Sequence, residues 1–132
     1  MARMASVPII RLMETSFSGP PIDDDAILGR LPAENSAFLR RQNGLIAAHG
    51  GFHVRGACIA PEWHSIRSAW EGEFALHQLY PDVLSSDVPL VEDCFGDQYL
   101  LREGFAIRLV GETGDLEPME CDWHEFVWHP IP

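Results

Sequence analysis

The sequence predicts a single α+β domain that spans residues 1–132. A length of 132 residues suits one domain, and a hydrophobic fraction of 46% is enough to build a core. Helix signals occur in the first two thirds of the chain, whereas the last third alternates short apolar runs with glycine-containing turns, as in an antiparallel meander. No internal repeat, low-complexity tract or linker divides the chain, which favours one domain.

Two helix signals follow an irregular lead-in. We expect residues 1–20 to be irregular or to hold a short strand. Asp23–Asp25 then supply N-cap candidates for a short helix that stops near Gly29, since negative charge suits a helix start. A second helix begins at Pro32, because a proline in the first turn loses no hydrogen bond, and Asn43-Gly44 closes it as a C-cap pair.

A hairpin and an aromatic helical region come next. Leu45–His49 and Phe52–Arg55 are strand candidates joined by Gly50-Gly51, since glycine accepts the positive φ that a tight hairpin needs. From Pro61 onwards, large apolar residues recur at spacings of three and four, which is typical of one face of a helix. Gly72 is expected to break the region into two helices, the second of which ends before Pro81. We interpret the stripe as core, and its members are Trp63, Ile66, Trp70 and Phe74.

The last third predicts a meander of four strands and a closing helix. The strand candidates are Val88–Val91, Asp97–Arg102, Phe105–Val110 and Leu116–Met119. Pro118 cannot donate a ladder hydrogen bond, so the last of these strands is expected at a sheet edge. Asp122 and Glu125 then form a capping box for a short helix. The side chains expected to pack this helix onto the sheet are Trp123, Phe126 and Val127.

The charge of the chain is strongly negative and unevenly distributed. Twenty acids and nine bases, all arginine, give a formal net charge of −11. Residues 1–60 hold five acids and six arginines, whereas residues 61–132 hold fifteen acids and three arginines. This balance disfavours nucleic acid and anionic membranes as partners, because phosphate binding needs clustered Lys and Arg. It favours a basic protein, although acids that only keep the chain soluble are an equally good interpretation.

The remaining bulk features favour a cytoplasmic protein. No stretch approaches the roughly 20 apolar residues that cross a bilayer, and the first ten residues do not match a secretory signal. Three widely spaced cysteines are too few, and odd in number, for a secreted disulfide framework. We therefore expect a reducing compartment and buried, unpaired thiols.

Two cysteine-containing segments were candidates for chemistry. Cys121 and His124, with His129 beyond them, resemble half of a zinc site, but no second pair supplies the four ligands that tetrahedral zinc needs. Cys94 lies in a polar, loop-like stretch, where its acidic neighbours disfavour a reactive thiolate. Neither segment predicts a metal site or a nucleophile.

The histidines give no stronger signal. His49 and His53 lie across the expected hairpin turn without a carboxylate nearby in sequence, so surface or strand-end positions are expected. His64 and His77 are expected on helix faces. The chain has no serine elbow and no phosphate-binding glycine loop, so we expect no catalytic residue, no metal and no cofactor. An enzyme or metalloprotein is the third-ranked hypothesis, and its candidate side chains are His49, His53, Cys94, Cys121 and His124.

Two acidic, glycine-containing segments are the candidate binding site. They lie at strand ends in the predicted meander, where loops commonly carry function. The alternative is that their Asp and Thr side chains only make the local hydrogen bonds of turns. Taken together as an acidic rim that binds a partner, the candidate residues are Glu92, Asp93, Asp97, Glu112, Asp115 and Glu117.

Short motifs stand in a recognisable order between about Ile22 and Val127. They are Leu31-Pro32, Phe38-Leu39, Asn43-Gly44, Val88-Pro89-Leu90, Glu92-Asp93-x-x-Gly96-Asp97-Gln98-Tyr99-Leu100 and Glu112-Thr113-Gly114 followed by Glu117, with Phe126 as the aromatic of the closing helix. This order resembles the SUKH superfamily, in its Smi–Knr branch. The resemblance implies an α+β fold in which helices pack on one face of a strongly curved antiparallel sheet.

The resemblance also implies a mode of action. Bacterial members are typically immunity proteins that neutralise a cognate toxin, often a nuclease, by tight binding, whereas the yeast relatives regulate cell-wall synthesis. The family brings no catalytic residue and no cofactor. Our first hypothesis is therefore an immunity protein that binds a basic toxin through its acidic second half. The alternative is an adaptor or scaffold without a toxin partner, and the oligomeric state stays open.

Overall fold

The structure, a computed structural model, describes residues 14–122, whose strands form one open, seven-stranded antiparallel sheet. Each strand pairs with the next one along the chain, so the spatial order is the chain order. The strands are β1 (Thr15–Ser18), β2 (Leu45–Ala47), β3 (Phe52–Val54), β4 (Val88–Asp93), β5 (Gln98–Arg102), β6 (Phe105–Leu109) and β7 (Leu116–Asp122). The α+β class predicted from the sequence is confirmed.

The helices of the described residues are short. They are α1 (Asp25–Leu28), α2 (Ala33–Arg41), α3 (Ile66–Glu71) and α4 (Leu76–Leu79), and a 3₁₀ turn spans Glu62–His64. The predicted start of α1 is confirmed, because the Asp24 side chain accepts the N–H of Ile27 at 3.1 Å. This helix ends before Gly29, as expected.

The aromatic stripe is only half buried, so its interpretation as core is partly wrong. Ile66 and Trp70 lie in the core, whereas Trp63 is 54% exposed and Phe74 is 71% exposed. The four residues do not share one helix. Ser65 caps the start of α3 with its side chain, which leaves Trp63 on the preceding 3₁₀ turn, and α3 ends before Phe74 is reached. A helical spacing therefore places only the middle two residues on the same face.

Asn43 is not the helix cap that its position next to Gly44 predicts. Helix α2 ends at Arg41, and the buried amide of Asn43 joins two other segments instead. Its Nδ2 donates to the carbonyl oxygens of Pro20 (2.9 Å) and Ala57 (3.2 Å), and its Oδ1 accepts the N–H of Ala57 at 2.7 Å. The side chain thus fixes the chain on either side of the β2–β3 hairpin.

The predicted meander is present, with longer strands at both ends. β4 continues to Asp93, and β7 continues through Asp122, which therefore lies in a strand. The closing helix predicted after Asp122 falls on residues 123–132, outside the described residues. β7 ends the strand order, so the edge position predicted from Pro118 is confirmed.

Both faces of the sheet carry core residues, so the expectation that helices cover one face is wrong. Tyr99 and Leu101 of β5 belong to the main cluster, which includes residues of α1, α2 and α3. Leu100 points to the opposite face, because side chains alternate along a strand. There it packs in a second cluster with Val83 and Leu109, against Leu76 of α4. The helices thus contribute to both faces.

Candidate functional site

Three turns lie side by side at one end of the sheet, because the antiparallel order brings every second turn to the same end. They are residues 48–51, 94–97 and 110–115, which we call the turn end. The N–H of Cys94 donates to the carbonyl of Gly51 at 3.1 Å, and the N–H of Gly111 donates to the Asp97 carboxylate at 3.0 Å. The backbone of Gly111 also approaches the carbonyl of Gly96 too closely for a side chain to fit between them. The three turns are therefore tied into one surface.

Two of the predicted rim acids brace this surface. Oδ1 of Asp93 accepts the N–H groups of Phe95 (2.9 Å) and Asp97 (3.1 Å), and its Oδ2 accepts the Tyr99 hydroxyl at 2.9 Å. The buried carboxylate of Asp97 accepts hydrogen bonds from Arg108 and from the N–H of Gly111. Burial by itself raises the pKa of Asp97, but the hydrogen bonds from Arg108 and Gly111 outweigh it and lower the pKa below its usual value. Both carboxylates fix the turn.

The other four predicted acids divide between the interior and the surface. Glu92 turns inward, where it accepts hydrogen bonds from His53, Arg55 and Gln98. The exposed members of the predicted rim are Glu112, Asp115 and Glu117. Of these, Asp115 accepts the hydroxyl of Thr113 at 2.9 Å, and Glu117 lies 3.9 Å from Arg108. The six acids are thus near one end of the sheet but do not form a continuous row of free carboxylates.

Phe95 is the most exposed large apolar side chain of the turn end, and the sequence reasoning did not single it out. It is 86% exposed and lies between the exposed Cys94 and Gly96, whose φ is +88°. The carboxylate of Asp93 holds its backbone N–H, so the turn presents the ring from a fixed backbone. An aromatic residue next to an Asx turn was the signal that could have indicated it.

The arginines of the second half each pair with a buried acid, and within residues 14–122 they reach only two exposed acids, Glu71 and Glu117. Arg67 pairs with Asp24 and Glu71, Arg102 pairs with Asp87, and Arg108 pairs with Asp97. Asp24, Asp87 and Asp97 are buried carboxylates, so these cations serve interior partners. Exposed carboxylates such as Glu112 therefore stay unbalanced, and the negative field predicted from the composition is concentrated on the surface.

A second polar cluster lies inside the protein, at the junction of β3, β4 and the 3₁₀ turn. His53 and His64 are both buried, so the expectation of surface, strand-end or helix-face histidines is wrong for these two. His53 Nε2 lies 2.8 Å from His64 Nδ1, and His53 Nδ1 donates to Glu92 Oε1 at 2.8 Å. His64 Nε2 donates to the carbonyl of Asn43, also at 2.8 Å. We call Asn43, His53, His64 and Glu92 the histidine chain.

Aromatic rings and glycines enclose this chain. Trp63 lies beside both imidazoles at an angle, with ring centroids 5.4 Å from His53 and 5.6 Å from His64, and Phe17 of β1 lies 5.1 Å from His64. A methyl group on Gly19 or Gly56 would come within 2.6 or 2.7 Å of His64 Nε2. Small residues are therefore required wherever the backbone passes this ring.

Charge within the histidine chain is centred on Glu92. The hydrogen bond from His53, followed by the positive charge of Arg55, lowers the pKa of Glu92 to about 2, although burial opposes this shift. Arg55 is buried as well, and its guanidinium donates to Glu92 Oε2 and to the carbonyl of Pro89, each at 3.2 Å. Burial lowers the pKa of His64, so its neutral form is favoured.

The remaining candidates for chemistry are not brought together. The exposed His49 lies 3.7 Å from Glu14, in a different environment from the buried His53. Cys121 packs against the main core, and its proposed partner His124 lies outside the described residues. Among residues 14–122, no three His, Cys, Asp or Glu side chains are grouped so that they could hold a metal ion.

Comparisons of the chain with protein-family models, with curated proteins and with solved structures found no match. Within residues 14–122, no helix has the length and apolar character needed to cross a membrane. The geometry described above is therefore the basis for assigning a function.

Proposed function

We propose that this chain is a non-enzymatic, protein-binding domain of the immunity type, which binds a basic toxin through its turn end. The resemblance to the SUKH superfamily and its strongly curved sheet belongs to this proposal, as does a cytoplasmic location. The free thiols of Cys58 and Cys94 agree with a reducing compartment. A nuclease toxin suits such a domain, because its phosphate-binding surface is basic and attracts carboxylates.

The exposure of Phe95 on a braced turn is the observation that carries this proposal. Buried aromatic anchors surrounded by polar rims dominate the binding energy of protein interfaces. Phe95 is positioned to become such an anchor, since the hydrogen bonds of Asp93 and Asp97 hold its turn in place before binding. Glu112 and Asp115, exposed on the neighbouring turn, supply the polar rim. A pre-organised turn loses little conformational entropy on binding, which favours tight association.

The direct test compares two exposed phenylalanines at opposite ends of the sheet. We expect Phe95→Ala to weaken binding of the protein encoded by the adjacent gene by about 30-fold or more, which corresponds to a hot spot of about 2 kcal/mol. Phe105, which is 58% exposed and begins β6 at the other end, provides the matched control, and Phe105→Ala is expected to bind as the wild type does. Isothermal titration calorimetry gives both affinities, and equal affinities for all three proteins would refute the assignment of the turn end.

Growth assays separate the immunity protein from the adaptor. Expression of this chain together with the adjacent gene product is expected to protect cells from the toxicity of that product. The Phe95→Ala variant is expected to give no such protection. A bound partner that is neither toxic nor basic would instead favour the adaptor. The variant's thermal unfolding should match the wild type, because the exposed ring adds little to stability.

A further inference from the structure

The histidine chain has hydrogen-bond acceptors at both ends. At one end is the carbonyl oxygen of Asn43, which has no proton to give. At the other end is Glu92, whose carboxylate accepts from His53 through Oε1 and from Arg55 and Gln98 through Oε2. Between these ends, two imidazoles contribute four ring nitrogens to three contacts, each 2.8 Å long.

Counting protons shows that two neutral rings next to an ionised Glu92, whose pKa is lowered to about 2, cannot make all three contacts. The contact to Asn43 needs a proton on His64 Nε2, and the contact to Glu92 needs a proton on His53 Nδ1. The central contact between His53 Nε2 and His64 Nδ1 needs a third proton, whereas two neutral imidazoles carry one proton each. Without it, two nitrogen lone pairs would face each other at 2.8 Å in a buried site.

We infer that the His53–His64 pair is a buried pH-sensitive switch, which holds three protons and one positive charge near neutral pH. The charge resides on His53, since this ring faces the carboxylate of Glu92. The low pKa of His64, caused by its burial, agrees with this division. The charged groups that face the pair are Glu92 from β4 and Arg55 after β3, while Gln98 of β5 and Phe17 of β1 are neutral.

The three-proton state makes the stability of the junction depend on pH in both directions. In the unfolded chain, each histidine titrates near its ordinary value of about 6.5. Above that pH the unfolded pair holds two protons and the folded pair three, so stability falls as the pH rises. Below it the unfolded pair holds four, so stability falls as the pH drops. The contribution of the pair is therefore greatest near about pH 6.5 and changes by up to about tenfold in the folding equilibrium constant per pH unit on either side.

Nitrogen-15 NMR of the imidazoles in the wild-type protein tests the proton count directly. At about pH 6.5 we expect both nitrogens of His53 and Nε2 of His64 to be protonated, and Nδ1 of His64 to be unprotonated. This pattern identifies the charged pair without any variant that might fail to fold. Two singly protonated rings, or two doubly protonated rings, would overturn the inference.

Urea unfolding across the pH range provides the second measurement. We expect the stability lost in His53→Gln, relative to wild type, to be nearly constant below about pH 6.5 and to decline as the pH rises above it, because the variant keeps the neutral His64 and loses only the charged His53. His49 offers the matched control, because it is 85% exposed and lies outside the histidine chain, and His49→Gln is expected to show no such decline. A loss in His53→Gln that stays constant over the whole pH range, or that grows above about pH 6.5, would contradict the switch.

Discussion

Asp24 holds the start of α1 and an arginine from another helix with one carboxylate. Its Oδ1 accepts hydrogen bonds from the N–H of Ile27 and from Nη2 of Arg67. Its Oδ2 accepts a hydrogen bond from Nε of Arg67 at 2.6 Å. The hydrogen bonds from Arg67 lower the pKa of this carboxyl, in spite of the opposing effect of burial. The ionised form of Asp24 is therefore part of the folded state.

Replacing this carboxylate with an amide isolates the contribution of its charge. We expect Asp24→Asn to lower the free energy of unfolding by about 2 kcal/mol at neutral pH, because asparagine still caps a helix but cannot pair with Arg67. Since the folded pKa lies below the unfolded one, the deficit is fully present above about pH 4 and shrinks as the pH falls through the folded value. Urea denaturation measures it, with the exposed Asp25→Asn as the control. Equal effects of the two substitutions would contradict this role.

The histidine chain shows why single residues were hard to interpret from the sequence. His53 and Glu92 are 39 positions apart, and they meet because they are paired in the register of β3 and β4. His64 reaches them from a 3₁₀ turn that helical spacing does not predict. A sequence pattern gives the face of an element, but it does not give the register between two elements, so the burial of both histidines was missed.

At the scale of elements, the backbone next to β2 passes so close to the His64 ring that only glycine fits there. Gly44 has a φ of +81°, and a methyl group on it would lie 2.5 Å from both His64 Cε1 and the carbonyl oxygen of Val54. Gly104, in the β5–β6 turn, has a similar φ of +85°, but a methyl group there would meet nothing within 4 Å. The two positions share the backbone conformation and differ in crowding.

This pair separates backbone strain from steric overlap. We expect Gly104→Ala to destabilise the protein by about 1 kcal/mol, the cost of a left-handed conformation for an L-residue. Gly44→Ala adds overpacking of a buried junction and is expected to cost about 2 kcal/mol more. Chemical denaturation of the two variants gives the difference, and similar losses would show that the junction relaxes without strain.

Short-range sequence signals predicted where helices and turns occur better than they predicted which side chains are buried. The acidic start of α1 and the hairpin between β2 and β3 were both identified, since capping and turns are properties of a few neighbouring residues. The turn is longer than predicted, because it spans residues 48–51 and has positive φ at Ala48, His49 and Gly50 but not at Gly51. The break at Gly72 between two helices was predicted and is confirmed. The burial of Trp63 and Phe74 was predicted wrongly, because a spacing of three and four was taken to keep one face, whereas Trp63 precedes the helix that begins at Ile66 and Phe74 follows its end at Glu71. Helix boundaries, not helix propensity, caused the error.

At the scale of the whole molecule, the negative electrostatic field of the surface should control the rate at which a basic partner protein associates. The net charge of −11 is a property of the sequence, but its distribution depends on which acids the arginines pair with. Buried Asp87 and Asp97 bind Arg102 and Arg108, which leaves most of the exposed acids of the turn end, such as Glu112, in excess over the arginines. Electrostatic steering of a basic partner follows from this arrangement.

Salt dependence of the association rate tests this field. With the adjacent gene product as partner, we expect the association rate constant to fall by at least about tenfold between about 20 mM and about 500 mM NaCl, because salt screens steering between exposed charges. Stopped-flow fluorescence measures this rate, and the dissociation rate is expected to change much less. An association rate that does not respond to salt would remove the electrostatic part of the proposal.

Agreement between sequence and structure is greatest where composition or chain order decides the outcome. The acidic second half, the meander and the edge position of β7 were predicted, since each follows from residues close together in sequence. The exposure of Phe95 and the second core cluster around Leu100 were not predicted. Both depend on which face each strand presents once its neighbours are in place.

The match between strand order and chain order has a consequence for synthesis on the ribosome. Each strand from β2 to β7 joins an edge formed by the strand made just before it, so no strand has to insert between two that are already paired. Pairing can therefore advance with translation, and the hairpins β2–β3, β4–β5, β5–β6 and β6–β7 pair strands that are close together in sequence, which shortens the search for those contacts. Until the next strand emerges, one growing edge is open at every stage, and the nascent chain covers it itself as elongation proceeds.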